Sequence, residues 1–147
     1  MISRFTLIFL SLYLFLTKSF AGCQISSQNM DFGSYDPSVN YPARSIAKFT
    51  LICTDRNSVT IELGASSVTG SITERKMRHI TRPEETIAYT LTSDFSGARV
   101  WGDSTENFSI ITPVGYYTTI SLFGQISPDQ QPWVGEYHDT IVLTIQP

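Results

Sequence analysis

The chain has 147 residues, 10 Lys and Arg against 13 Asp and Glu, a formal charge of −3, and 41% hydrophobic residues. That length suits one domain around one core. The acidic balance lacks the basic surface on which general nucleic-acid binding depends, so nucleic acid is not an expected partner.

Residues 1–21 read as a secretory signal. Arg4 supplies the positive start, residues 5–16 are apolar apart from Thr6 and Ser11, and Ser19-Phe20-Ala21 offers a cleavage site. The apolar run ends before Lys18, short of the roughly 18 residues a membrane-spanning helix needs. The expectation is an exported domain of residues 22–147 with no transmembrane segment once the signal is removed. Without Arg4 and Lys18 its formal charge is −5. Export places Cys23 and Cys53 in an oxidising compartment, where a disulfide between them would stabilise the domain by roughly 3–4 kcal/mol. Phe20-Ala21-Gly22-Cys23 also resembles a lipoprotein processing site, with Phe20 where leucine is usual. Lipidation of Cys23 would strand Cys53 unpaired, and the disulfide is the better expectation.

Ile25, Met30 and Phe32 mark a strand over 24–32, followed by Gly33 and a long connection containing Ser34, Asp36-Pro37, Asn40 and Pro42. In residues 44–53, Ala47, Phe49, Leu51 and Cys53 alternate with Lys48, Thr50 and Ile52. A turn at Asp55-Arg56-Asn57 then leads to Val59, Ile61 and Leu63, which alternate with Thr60, Glu62 and Gly64. These two strands predict an antiparallel hairpin. Residues 64–85 hold no helical stripe, and Pro83 would end any helix there. They read as irregular with short strands. Arg75, Lys76, Arg78 and Arg82 mix with Glu74, Glu84 and Glu85, the pattern of a solvated hairpin or loop rather than an anion site.

Patterning resumes at 87–92, passes Val100-Trp101-Gly102-Asp103, a short run at 108–111 and a long strand over 116–123, and reaches a turn-rich loop over 127–133. The last stretch, 135–147, sets Tyr137, Ile141, Leu143 and Ile145 on one face and His138, Thr140, Thr144 and Gln146 on the other. Only Val142 breaks the polar side. No later strand lies beside it in the sequence, so one of its flanks is expected to be an open edge. Prolines avoid the strand interiors and no amphipathic helix is evident. The expected fold is all-β, an Ig-like antiparallel sandwich, with a closed barrel as the alternative.

Catalytic patterns are missing. His79 and His138 read as surface residues, and no nucleophile elbow, phosphate-cradling loop or zinc-like His/Cys spacing occurs. Asp103 with Glu106, or Asp129 with Asp139, lack any spacing signal for a carboxylate pair. The expectation is a protein that is not an enzyme and uses no metal or cofactor. Trp101 reads as core, while Trp133, in a proline-flanked loop, is open between loop packing and an exposed contact. Asn107-Phe108-Ser109 is a formal glycosylation acceptor that matters only in a host with that machinery.

Several segments, in this order, resemble the spore coat protein U family, the domain of secreted coat proteins and of archaic chaperone-usher pilus subunits. They are Cys23 with Asp31-Phe32-Gly33-Ser34-Tyr35-Asp36-Pro37, Leu51-Ile52-Cys53, Arg75-Lys76-Met77, Ala88-Tyr89-Thr90-Leu91, Val100-Trp101-Gly102-Asp103 and Gly135-Glu136-Tyr137-His138-Asp139-Thr140-Ile141. The resemblance implies a sandwich missing its final strand, with the Cys23–Cys53 bridge near one end. A hydrophobic groove would run beside the terminal strand, lined by Tyr137, Ile141, Leu143, Ile145, Ile25 and Phe32. The implied partners are a periplasmic chaperone that fills the groove, an outer-membrane usher, and a neighbouring subunit whose N-terminal extension replaces the chaperone by strand addition.

Only Gly22 precedes Cys23 in the expected mature chain, against the roughly 5–6 residues of a strand. The chain is therefore expected to accept a strand and donate none, at a pilus tip or terminating position, in attachment and biofilm formation. Tyr35, Tyr41 and Trp133 are the candidate exposed contacts. Two other classes compete: a secreted coat protein packed without chaperone-guided polymerisation, and a secreted carbohydrate-binding sandwich supported only by the Trp133 loop.

Overall fold

The structure is a computed structural model that describes residues 9–16, 22–26, 29–54, 58–106, 110–113 and 116–146. The charged start and cleavage site of the expected signal, the turn at 55–57 and the acceptor sequence at 107–109 lie outside these residues.

Most strands fall where apolar residues recur at every second position. In chain order they are β1 (Phe9–Leu16), β2 (Cys23–Ile25), β3 (Met30–Ser34), β4 (Ala43–Cys53), β5 (Ser58–Leu63), β6 (Arg75–His79), β7 (Thr86–Thr92), β8 (Ile110–Pro113), β9 (Tyr117–Ile126) and β10 (Tyr137–Gln146). A short 3₁₀ turn covers Ser104–Glu106. No helix among the described residues is long and apolar enough to cross a membrane.

Hydrogen bonding links the strands in the order β2-β4-β9-β7-β6-β10-β1-β3, with β5 attached to β10 and β8 to β5. The path folds at β7. Residues 86–89 of that strand pair with β6, and residues 90–92 pair with β9. One strand thus serves two sheets and turns the corner between them, as strands do in sandwiches with joined edges. The pairings are antiparallel except that of β1 with β10, which is parallel.

The hairpin predicted from β4 and β5 does not form. β4 pairs with β2 and β9, whereas β5 pairs with β10 and β8. Alternation specifies which face of a strand is apolar and leaves its neighbour unspecified. Phe49 and Leu51 of β4 and Ile61 and Leu63 of β5 accordingly enter one common core from different sheets. Trp101 lies in that core, fully buried, and its indole Nε1 donates to the Ile61 carbonyl at 3.0 Å.

Two residues assigned to solvent turn out to be interior. Arg75 is 1% exposed, and its guanidinium donates to the carbonyls of Trp101 (2.9 Å), Gly64 (2.7 Å) and Leu63 (3.3 Å). Burial pushes this guanidinium below its usual pKa, against the opposing pull of Tyr89, Asp139 and Asp103. His79, also buried, accepts at Nδ1 from the backbone N–H of Thr81 and Arg82, leaving Nε2 to donate to the Val134 carbonyl. β6 is the reason: its residues alternate strictly between buried and exposed, and 75, 77 and 79 fall on the buried side.

Cys23 and Cys53 are register partners in the β2–β4 pair and are joined by a disulfide. Because β2 is only three residues long, the bridge supplies much of what holds it. Cys53→Ser is expected to lower stability by about 2–5 kcal/mol in urea unfolding under oxidising conditions.

Candidate functional site

Leu143 and Ile145 of β10 pair with β5, and Tyr137 and His138 with β6, on one flank. The other flank, expected to be open, is covered by β1. The register sets Leu10 beside Tyr137, Leu12 beside Asp139, Leu14 beside Ile141 and Leu16 beside Leu143. On its far side β1 runs antiparallel to β3, with Leu10 opposite Gly33 and Leu12 opposite Met30. Residues 9–16 of the apolar run read from sequence as a signal are therefore a sheet strand in this structure.

Without β1, the strands β10 and β3 would stand two strand spacings apart, roughly 9–10 Å. Their facing main-chain donors and acceptors would line a slot one strand wide. Inside it, Leu12 and Leu14 are buried against the core. The slot is closely floored: a Cβ added to Gly124 of β9 would collide with Met30 and Phe32 of β3. β3 carries one extra residue, Phe32, where the pairing shifts between Leu10 and Ser11. Gly33 makes that bulge possible with a φ of +67°, and its N–H donates to Asp31 Oδ1 at 2.7 Å.

Of the six residues expected to line the groove, Tyr137, Ile141 and Leu143 lie beside β1, and Phe32 forms its bulge opposite β1. Ile145 pairs with Ile61 beyond the end of β1, and Ile25 pairs with Leu51 in the other sheet. Both belong to the same buried core as Leu12 and Leu14.

A polar cluster at the slot's centre was not anticipated. Asp139 falls in the same buried row as Tyr137 and Ile141. Its Oδ1 accepts from Ser67 N (2.9 Å), Ser67 Oγ (2.6 Å) and Thr140 N (2.8 Å), and its Oδ2 from the Tyr89 hydroxyl at 2.5 Å. This carboxylate ties β10, β7 and the 64–71 connection together beside Leu12. The period-two count over 137–145 already places residue 139 inward, and that was the signal available.

The candidate contact residues divide. Tyr35 is 2% exposed and its hydroxyl donates to the Ser127 carbonyl at 3.0 Å, so it packs the domain rather than presenting a surface. Tyr41 and Trp133 are 66% and 53% exposed. Trp133 is held in place by Arg82, whose guanidinium lies 4.0 Å above the ring, and by the Tyr137 hydroxyl donating to its carbonyl.

Burial, then the charge of Asp139, then the hydrogen bond to it, together raise the Tyr89 pKa well above the ordinary tyrosine value. The folded chain thus keeps Tyr89 neutral where an unfolded tyrosine ionises, near pH 10. The stability this provides is intact below about pH 10 and is lost as pH rises beyond it. Urea unfolding at pH 8 and at pH 10.5 should show a steeper alkaline loss for the parent chain than for Tyr89→Phe.

Residues 11–144 match the sequence profile of the Spore Coat Protein U domain. Among curated relatives, Protein U of Myxococcus xanthus is 26% identical over 126 residues, covering 79% of this chain and 70% of its own. Two solved structures share the fold. One is a chain of the CsuC–CsuE chaperone–tip adhesion subunit pre-assembly complex from the archaic chaperone-usher Csu pili of Acinetobacter baumannii. It has a TM-score of 0.56 and 18% identity, covering 85% of this chain and 39% of that one. The other is from a chaperone–tip adhesin complex of CFA/I fimbriae biogenesis, with a TM-score of 0.55 and 18% identity, covering 86% and 42%. This chain thus spans about two fifths of each solved chain.

Proposed function

Because the chain belongs to the Spore Coat Protein U domain family, we propose that it is a structural subunit of a bacterial surface assembly, completed by a strand added beside β10. The observation that carries this reading is the slot between β10 and β3. A strand seated there gains main-chain hydrogen bonds on both sides and buries alternate side chains, the two sources of affinity and specificity in strand addition.

The partners follow from that chemistry. A periplasmic chaperone is a fitting first donor, in keeping with the chaperone-bound complexes that share the fold. An outer-membrane usher and a neighbouring subunit supplying a replacement strand complete the scheme. Export through the periplasm to the cell surface is part of the same proposal, as is a tip or terminating position in a pilus that serves attachment and biofilm formation. Exposed Tyr41 and Trp133 are the proposed contact residues. A structural rather than enzymatic role agrees with the engagement of His79 and Asp139, the groups best suited to acid–base work, in hydrogen bonds that hold the fold.

A second reading, a coat protein that closes its own sandwich, is favoured by the presence of β1 beside β10. The two readings differ in the fate of residues 1–21, which mass spectrometry of the exported protein's N-terminus decides. The direct test is thermal unfolding of the chain beginning at Gly22, alone and with an extended peptide of alternating apolar residues. Peptide at one hundred times its Kd should add about 2.7 kcal/mol to stability, seen as a clear rise in Tm. A chain already stable and indifferent to the peptide defeats the acceptor reading.

A further inference from the structure

We propose that residues 9–16 are the slot's first occupant, a strand the chain supplies to itself, and that removing them opens the slot to a partner. This rests on the strand-acceptor reading above.

The sequence of β1 is Phe9-Leu10-Ser11-Leu12-Tyr13-Leu14-Phe15-Leu16. Leucine stands at every even position, and the polar-capable residues Ser11 and Tyr13 fall only on odd ones. Export signals need apolarity without any alternation. A uniform leucine row at every second position suits a strand with that face against a core, while the odd row is mixed, with Phe9 and Phe15 beside Ser11 and Tyr13. The even row is the one in register with Tyr137, Asp139, Ile141 and Leu143, and Leu12 and Leu14 are both buried.

The main chain fits as well. β1 contains no proline, so every residue in it can donate to a ladder. It is paired with β10 on one side and β3 on the other. Six residues, 17–22, separate Leu16 from Cys23, and such a connection reaches at most about 25 Å. A strand so close to its own domain meets that slot before any other molecule's.

Cleavage of the expected signal after residue 21 therefore removes a structural strand. The unprocessed chain would be closed and inert toward partners, and the processed chain open and adhesive at β10. Processing would become the event that licenses assembly, with a donor strand replacing a leucine row of the same spacing.

The test uses the full chain with a site-specific protease sequence placed within residues 17–21 and cut after folding. The probe is a fluorescent peptide of residues 9–16 flanked by lysines for solubility. Expected results are a monomeric uncut chain that ignores the peptide, and a cut chain that exchanges its fragment for the peptide and gains fluorescence anisotropy. In the uncut chain, Leu12→Asp with Leu14→Asp should lower Tm by about 10 °C or more and admit the peptide without cutting. Equal peptide uptake before and after cutting, or an unchanged Tm in the double variant, overturns the proposal. So does a concentration-dependent dimer of the uncut chain, which would place β1 in a second molecule's slot. Failure of the acceptor reading looks different: the cut chain sheds its fragment, remains folded at the same Tm and takes up no peptide.

Discussion

The rest of the structure depends on the requirement that β10 be paired along both flanks. A strand in the middle of a sheet exposes main-chain donors and acceptors on each side, and leaving a buried row of them unmet costs as much as losing the hydrogen bonds themselves. β5 and β6 meet one flank of β10, and β1 meets the other. Because β3 lies outside β1, the same eight residues also complete β3. One short segment thus closes two ladders, which is why its presence or absence decides whether the domain is self-contained.

Around that strand the domain is stiffened by polar side chains that behave as crosslinks. Arg75 gathers three carbonyls from the ends of two connections, and Trp101 takes a fourth. Asp139 gathers donors from Ser67, Thr140 and Tyr89. The terminal nitrogens of Arg75 and both carboxylate oxygens of Asp139 are engaged in this way, which offsets the cost of burying their charge, while Arg75 Nε has no hydrogen-bond partner among the described residues. Their placement keeps the wall of the slot fixed, and a rigid wall gives up little entropy when a strand is added.

Much of this was legible in the sequence, and the exceptions share a cause. The all-β class, the long strands β4, β9 and β10, the disulfide and the burial of Trp101 follow from alternation, cysteine number and context. Strand neighbours did not, because the alternation in β4 and β5 describes faces rather than partners. Arg75, His79 and Tyr35 were placed at the surface because their acceptors are main-chain carbonyls or loop groups far away in sequence; the Tyr35 hydroxyl reaches Ser127. Asp139 was passed over because a carboxylate interrupts an apolar row only on paper, its charge being met by residues some 50 and 70 positions away. Residues 9–16 of the run read as an export signal also carry leucine at every even position, and they form β1.

Gln130 has a wider consequence. Its side-chain amide accepts from Ala88 N at 2.8 Å and donates to Ala88 O at 2.9 Å, reproducing a rung of a ladder where β9 has left β7. The seam between the two sheets is therefore sealed by a side chain instead of by another strand. A gap of this kind left uncapped would offer unpaired main-chain groups to any extended chain that met it, the route by which exposed strands lead to aggregate. With Gln130 seated on Ala88, that stretch of β7 is withdrawn from foreign pairing, and the corner where one strand passes between two sheets is closed without lengthening β9.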